Sequence, residues 1–515
     1  VSGERFFITT AIDYANGDPH LGHAFEKVGA DAIARYHRFA GRDVHFLIGM
    51  DEHGQKVAQT AADAGLAPQQ LVDQVARRFM DAWSTLDVAY DEFVRTTSAH
   101  HKRGVVELIE MIFARNPDDF YEQSYTGAYC VGCESFKADA DIVDGKCALH
   151  PTRTLEQVVE RNWFFRLSRY TDALKHLFAE QPDFLAPAFR ANEMLSLIDA
   201  GLEDVSASRA RFTWGVPFPR PLSTGETQTT YVWFDALPNY WTVTRAANAK
   251  AQWPAQAHII GKDITRFHAI IWPAMLMSAG LPLPQQVWAH GFISLGGERF
   301  SKSAGVKLSL DEAIDRFGPD AFRYYLLREV PFDGDGNFSW ERFAEVYDSD
   351  LANALGNLAS RTTAMVEKYF DGVVPSAPAG VHDAQVLATL HEALNSVVGG
   401  HGFLLHDAIS KTMQTVRDTN EFVQRSQPWA LAKDPAKRDE LAAVLATVIR
   451  SLARQTLLLA PVVPRKAQLL WQSLGGLGMI QGYQKEALDS LDVAGWRVTK
   501  GEPLFPKPLP TAPAP

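Results

Sequence analysis

Arg5-Phe6-Phe7-Ile8-Thr9-Thr10-Ala11-Ile12 runs into the turn formers Asp13 to Pro19 and then into His20-Leu21-Gly22-His23. The first eight residues are rich in β-branched and aromatic side chains and predict a buried strand. Phe25, Val28, Ala32, Ile33 and Tyr36 then recur at helical spacing, with Gly41 as a stop. Val44 to Gly49 is a second strand, closed by Met50-Asp51-Glu52-His53-Gly54, and helices follow near Lys56 and from Pro68 to Leu86. Strand, loop, helix, strand opens a parallel α/β domain whose ligands bind at the strand C-termini.

Outward from that opening the pattern changes twice. Between Tyr121 and Phe212, short strand-like runs, a cysteine cluster and Asn162-Trp163-Phe164-Phe165 suggest an inserted module. Open α/β character resumes at Thr230 to Phe234, then at Ala257 to Ile260, the helix Arg266 to Ser278 and the strand Gln286 to Ala289. The nucleotide-binding domain is therefore split around the insert. From Phe343 to about Leu474 long apolar-periodic segments dominate: Asp350 to Tyr369, Asp383 to Leu405, Ala408 to Arg425 and Asp439 to Leu459. They predict a helical bundle, with Pro464 kinking or opening a helix near its end. The proline-rich tail after Gly501 reads as extended chain draped on the surface.

A chain of 515 residues exceeds the size of one growing core and predicts several domains. Its apolar fraction of 46% and charged fraction of 22% suit a globular protein. No uninterrupted apolar run approaches the length of a bilayer span, and Val1 to Arg5 resembles no signal or transit peptide. Three cysteines do not make a disulfide framework. A cytoplasmic enzyme is the expectation. The formal charge of −11 argues against a general nucleic-acid binder but leaves room for one folded RNA held by local patches.

The histidine turn and Phe300-Ser301-Lys302-Ser303 together supply what holds ATP around its reacting phosphate. Gly22 lets a nucleotide approach the backbone at a helix start, where free N–H groups favour anions. His20 and His23 are three apart and can face one phosphate, and an imidazole can donate to its oxygens. Lys302 is a point charge on a flexible stem that can follow the departing pyrophosphate. Taken singly, each of these is more often an ordinary surface residue. After the Ile260 strand, Gly261 permits close approach, and Asp263 either accepts from ribose hydroxyls or caps the next helix. Asp51 either binds a substrate ammonium or forms a turn. The P-loop GxxxxGK[ST] and the dinucleotide GxGxxG are both absent.

Cys130-Val131-Gly132-Cys133 and Cys147-Ala148-Leu149-His150 consume every cysteine in the chain. Three thiolates and an imidazole fit a closed tetrahedral zinc site with no position left for water, hence a structural one. The alternative is three buried thiols beside a surface histidine.

With these residues collected, the chain closely resembles the class I aminoacyl-tRNA synthetases of the methionyl-tRNA synthetase family, single zinc-knuckle type, over essentially its full length. Thr9 to Gly17 leading into Pro19-His20-Leu21-Gly22-His23 matches the first family signature, and Phe300-Ser301-Lys302-Ser303 matches the second, with Phe300 where methionine is usual. Ala304-Gly305 follows where a basic residue is usual, and Leu237 stands where proline is common. The resemblance implies a split Rossmann-type parallel-sheet catalytic domain with an inserted zinc-knuckle module, followed by an all-α anticodon-binding bundle. The expected parts are residues 1–116 and 227–299 for the catalytic domain and 117–226 for the insert. Residues 300–346 would form the lysine loop and stem contact, 347–490 the bundle and 491–515 a C-terminal extension. It implies ATP with Mg²⁺ as the substrate complex, with Gly22, Gly261, Asp263, Ser301 and Ser303 at the nucleotide, and one structural Zn²⁺. It also implies a methionine pocket of Ile12, Tyr14, Asp51, Trp233, Ala236, Leu237, Tyr240, Phe267, His268 and Trp272, with Asp51 on the ammonium. From the residues alone, Tyr231 to Phe234 reads as buried strand core. In the bundle, the resemblance assigns the tRNA anticodon to Asn357, Arg361 and Trp429. From spacing alone these are a packing asparagine, a solvated arginine and a core tryptophan. The implied reaction is methionine activation by ATP and transfer to the terminal adenosine of tRNA(Met), elongator and initiator, by a monomer without a C-terminal dimerisation domain. The alternatives are another class I synthetase, cysteinyl or valyl, and a catalytically idle tRNA-binding protein.

Overall fold

The structure is a computed structural model that describes residues 3–506 apart from 131–134, 138–141, 149, 211–212, 296–297, 300–309 and 401. Its centre is a parallel sheet, seven-stranded among the described residues, in the order Leu185–Ala186, Gln286–His290, Ala257–Gly261, Arg5–Thr10, Asp43–Asp51, Asp13–Tyr14. Glu92–Arg95 also pairs with Asp43–Asp51. Strands from both sides of the insert thus share one sheet, joined where Ile8 lies beside Ala257. The first strand sits in the middle, with the chain running outward on either side of it. Such a reversal opens a crevice at the strand C-termini.

The sheet divides two cores by the two-residue alternation of its strands. Phe6, Ile8, Phe46 and Ile48 face one core, which continues into the helical bundle. Phe7, Leu47 and Ile260 face the other, shared with the insert. Burial on both faces is why Arg5–Thr10 reads as an almost unbroken apolar run.

Leu21–Phe39 is a long helix lying against the first of these cores. His20 caps its N-terminus, and Gly41, at φ 87°, lets the chain leave it. The insert is built on an antiparallel ribbon, Phe120–Cys130 with Glu156–Phe165, flanked by Val205–Ser206 and Ser135–Lys137. It is tied into the central sheet, because Leu185–Ala186 pairs with Gln286–His290.

The bundle comprises Asn357–Phe370, Val381–Val398, Leu405–Ser426, Arg438–Leu459 and Pro464–Leu474. Pro464 opens the last of these at its first turn, where its missing N–H costs nothing. The helix expected to run from Asp383 to Leu405 instead stops at Val398. Gly400 and Gly402 have φ of 84° and 112°, and a Cβ on Gly402 would lie 2.8 Å from the Trp288 ring. Pro435–Leu459 has the length and mean hydropathy of a bilayer span, but Arg450 and Arg454 interrupt it, so no unbroken apolar run of that length is present in it, and its apolar window is 89% buried in the protein.

A second correction concerns Tyr231 to Phe234. Only Thr229–Thr230 is strand, paired antiparallel with Ser208–Arg209 outside the central sheet, and Val232–Ala236 is a helical turn. Short apolar runs carry too few residues for their period to separate the two.

The two halves are joined by buried polar bonds. Arg323 is fully buried and donates to Asp31 on the Leu21–Phe39 helix, to Leu86 O, and to Pro461 and Val462 O beyond the bundle's longest helices. Tyr36 donates to Leu458 O at 2.9 Å. The C-terminal extension packs back on the bundle through buried Phe505 and the Tyr347–Pro506 hydrogen bond.

Candidate active site

The crevice is floored by strand ends. His20 Nδ1 accepts from Gly22 N–H at 3.2 Å, and His23 Nδ1 accepts from the His20 N–H at 3.3 Å. The two rings stack at 3.6 Å between centroids. With both Nδ1 atoms accepting, each neutral imidazole carries its proton on Nε2, the tautomer that can donate to a phosphate oxygen. Gly22 abuts the His20 ring, which a Cβ would approach to 3.2 Å.

Across the crevice, Gly261 ends its strand, and a Cβ there would lie 2.8 Å from Asp263 Oδ1. Asp263 is exposed in the short turn Lys262–Ile264. Asp51 ends the second strand, is buried, and pairs in register with Tyr14. Ile12 reaches the same strand, since a Cβ on Gly49 would meet its Cγ2 at 3.0 Å.

The aromatic residues converge beside these ends. Trp233 stacks face to face on Phe267, 3.7 Å between centroids at 7°. Tyr240 and His268 are joined through Oη and Nε2 at 2.7 Å, and His268 Nδ1 lies 3.1 Å from Ile264 O. That carbonyl needs a donor, so Nδ1 is protonated, Nε2 accepts, and the Tyr240 hydroxyl donates to it. Burial pushes His268 down to about 4 and raises the Tyr240 phenol. The lining is therefore neutral, suited to an apolar or thioether side chain. Trp272 and Leu237 are buried, the Trp272 ring 6.3 Å from that of Tyr240, and Ala236 lies in the turn after Trp233. Phe267–Ile271 is π-helical before Trp272. Pro273, lacking an N–H, is the reason the regular ladder is interrupted there.

Two polar clusters escaped the sequence reading. Asp235, between Trp233 and Ala236, is buried and bonded to His53 Nδ1 at 2.6 Å and His101 Nε2 at 3.0 Å. Burial alone would raise its carboxyl, but His53 and then His101 outweigh it and hold it well below the usual range. The signal was an aspartate inside an apolar run. The second cluster joins Asp13, Lys27, Glu26 and His290 beneath the crevice.

In the bundle, Asn357 is exposed at the start of its helix, directly after the π-helical stretch Tyr347–Gly356. Arg361 lies one turn on, its guanidinium 5.9 Å from the partly buried Trp429 ring. The structure brings Arg361 and Trp429 together. Ser301, Lys302 and Ser303 lie outside the described residues, as does Cys133, and the side chain of His150 is not described. Cys130 and Cys147 are buried, and Cys147 pairs in register with His150 across a hairpin, a donor set whose chemistry fits zinc. Among the described residues alone, no three His, Cys, Asp or Glu side chains converge as a metal site.

Comparison with known proteins places the chain. The profile of the family "tRNA synthetases class I (M)" matches residues 6–157 and 141–363. The chain belongs to the class I tRNA synthetases. A methionine–tRNA ligase of Caldanaerobacter subterraneus subsp. tengcongensis is 42% identical, covering 98% of this chain and 79% of its own. That of Thermosynechococcus vestitus is also 42% identical, over 92% of this chain and 90% of its own. Within the class, therefore, the family is that of the methionine–tRNA ligases. Mycobacterium tuberculosis methionyl-tRNA synthetase in complex with methionyl-adenylate superposes with a TM-score of 0.91 at 38% identity, covering 98% of this chain and all of that one. Its free-state structure gives 0.85 at 34% identity, with 99% of each chain covered.

Proposed function

We infer that the chain runs both steps of the methionine–tRNA ligase reaction and that the residues assembled above carry them. A methionine carboxylate oxygen attacks the α-phosphorus of ATP while the bond to the β-phosphate oxygen breaks, giving methionyl-adenylate and pyrophosphate. A hydroxyl of the terminal adenosine of tRNA(Met) then attacks the activated carbonyl, and AMP leaves. His20 and His23 donate from Nε2, and with Lys302 they stabilise charge on the phosphates as it shifts. Gly22, Gly261, Asp263, Ser301 and Ser303 hold the nucleotide, which arrives as its Mg²⁺ complex. Asp51 holds the methionine ammonium. Ile12, Tyr14, Trp233, Ala236, Leu237, Tyr240, Phe267, His268 and Trp272 enclose the thioether. Binding both reactants in one crevice makes this catalysis by orientation and fixed charge.

The observation that carries this reading is the convergence of the histidine turn, Asp51, Gly261 and the Trp233–Phe267 stack on the C-terminal ends of one sheet. Beyond it, Asn357, Arg361 and Trp429 read the anticodon of elongator and initiator tRNA(Met), since a partly buried ring beside a guanidinium and an exposed amide suits unpaired bases. Cys130, Cys133, Cys147 and His150 hold one Zn²⁺ that stiffens the insert and supplies no reaction chemistry. The catalytic domain is a split Rossmann-type fold over residues 1–116 and 227–299, with the insert at 117–226 and the bundle at 347–490. The enzyme acts as a cytoplasmic monomer. ATP–pyrophosphate exchange across the twenty amino acids tests the assignment. Methionine should support exchange far above the rest; exchange driven best by cysteine or valine, or by none, would contradict it.

A further inference from the structure

The helix that opens at His20 buries a lysine on its second turn. Lys27 is fully buried, and its ammonium donates to Ala11 O at 2.9 Å, Asp13 Oδ1 at 2.9 Å and Glu26 Oε1 at 2.7 Å. An ammonium has three N–H bonds, and here each has an acceptor. Two of those acceptors bracket Ile12, and the second directly precedes Tyr14. The same segment is pinned from its other side. Ala11 N–H donates to Ile259 O at 3.0 Å, Ala15 N–H donates to Asp51 O at 2.8 Å, and Asp13 and Tyr14 pair with Met50 and Asp51.

The third acceptor leads elsewhere. Glu26 Oε2 lies 3.1 Å from His290 Nε2, and His290 sits in register with Gly261 at the neighbouring strand end. One cation therefore ties the segment beside Asp51 to the strand ends on the nucleotide side. A buried ion pair that only filled core could be exchanged for apolar side chains at little loss. Such a pair would have no need to bond a main-chain carbonyl of the pocket segment. Burial pushes the Asp13 carboxyl up to about 7, and Lys27 is the group that pulls it back down against that burial.

We propose that Lys27 is a positioning residue for methionine, clamping Ala11 and Asp13 so that Ile12 and Tyr14 meet the substrate. The proposal rests on the assignment of Ile12 and Tyr14 to the methionine pocket. Lys27→Met keeps the length and removes the charge. In pyrophosphate exchange its methionine KM should rise about tenfold to a hundredfold, as small misplacements of binding groups do, with the ATP KM close to wild type. Asp13→Asn, which keeps Lys27 and its bond to Ala11, should raise the methionine KM in the same direction by less. Ile12→Ala tests the underlying assignment separately and should raise the methionine KM with Lys27 intact.

A folded Lys27→Met enzyme with a wild-type methionine KM overturns the clamp, as does an equal rise in both KM values. If that variant does not fold, a wild-type methionine KM in Asp13→Asn overturns it instead. A wild-type methionine KM in Ile12→Ala overturns the assignment of the segment, and the clamp with it.

Discussion

The crevice and the Asn357–Trp429 face give a partly buried tryptophan different neighbours. Trp233 lies flat on Phe267 at 3.7 Å, beside a hydroxyl and an imidazole already bonded to each other. Trp429 is partly buried, as Trp233 is, and has a guanidinium 5.9 Å from its ring. In the crevice the polar groups beside the ring are already paired with each other, as fixed-charge catalysis favours. On the bundle face the ring has a cation beside it instead, a combination that suits the base stacking proposed for it. Both lie against π-helical turns, Phe267–Ile271 and Tyr347–Gly356. The roles proposed for the two regions imply that chemistry and RNA reading can be damaged separately.

The strongest blow falls on the chemistry. Lys302→Ala should slow adenylate formation about 10²–10³-fold, as loss of other transition-state contacts does, while methionine binding without ATP stays unchanged. Single-turnover measurement separates the two, and near-normal adenylate formation would remove the lysine from the phosphates. A smaller effect is expected at the bundle. Trp429→Ala should keep exchange but lose about fivefold to a hundredfold in charging full-length tRNA, one stacking contact being worth about 1–3 kcal/mol. With a melting control to exclude unfolding, equal loss in both assays would erase the distinction between the two regions.

The third effect is on order rather than rate. Metal analysis should find about one zinc per chain, and Cys133→Ser should loosen the insert before the bundle melts. A zinc-free protein prepared without chelator contradicts this.

The smallest effect is in pH dependence. His268 is held neutral by burial, at about 4, against about 6.5 in an unfolded chain. Its folded value is depressed, so its stabilising share is full above about 6.5 and is lost as pH falls towards 4. The melting-temperature advantage of wild type over His268→Gln should therefore shrink from pH 7 to pH 5. A constant difference would show that the imidazole takes up its proton in the folded state.

What could be read beforehand follows the same division. The strands at Arg5 and Asp43, the helix after His20 and the bundle helices announce themselves through period and stop signals. The pocket does not. Tyr231 to Phe234 looks like strand because β-branched and aromatic residues suit a pleat, and only packing against Phe267 and the 53–101 region makes it helical. Asp235 and Lys27 sit in apolar patterns, and their partners His53, His101 and Asp13 are brought in by the fold. Charges whose partners come from other segments leave no local period, whereas the i, i+4 pair Asn357 and Arg361 does.

The separation of chemistry from RNA reading is tested most directly by one turnover without RNA. Enzyme mixed with methionine and ATP alone should accumulate bound methionyl-adenylate with one equivalent of pyrophosphate released, and added tRNA(Met) should then discharge it as methionyl-tRNA. If no adenylate forms until tRNA is present, the crevice is not complete without the bundle's ligand, and the two regions do not work as separate machines.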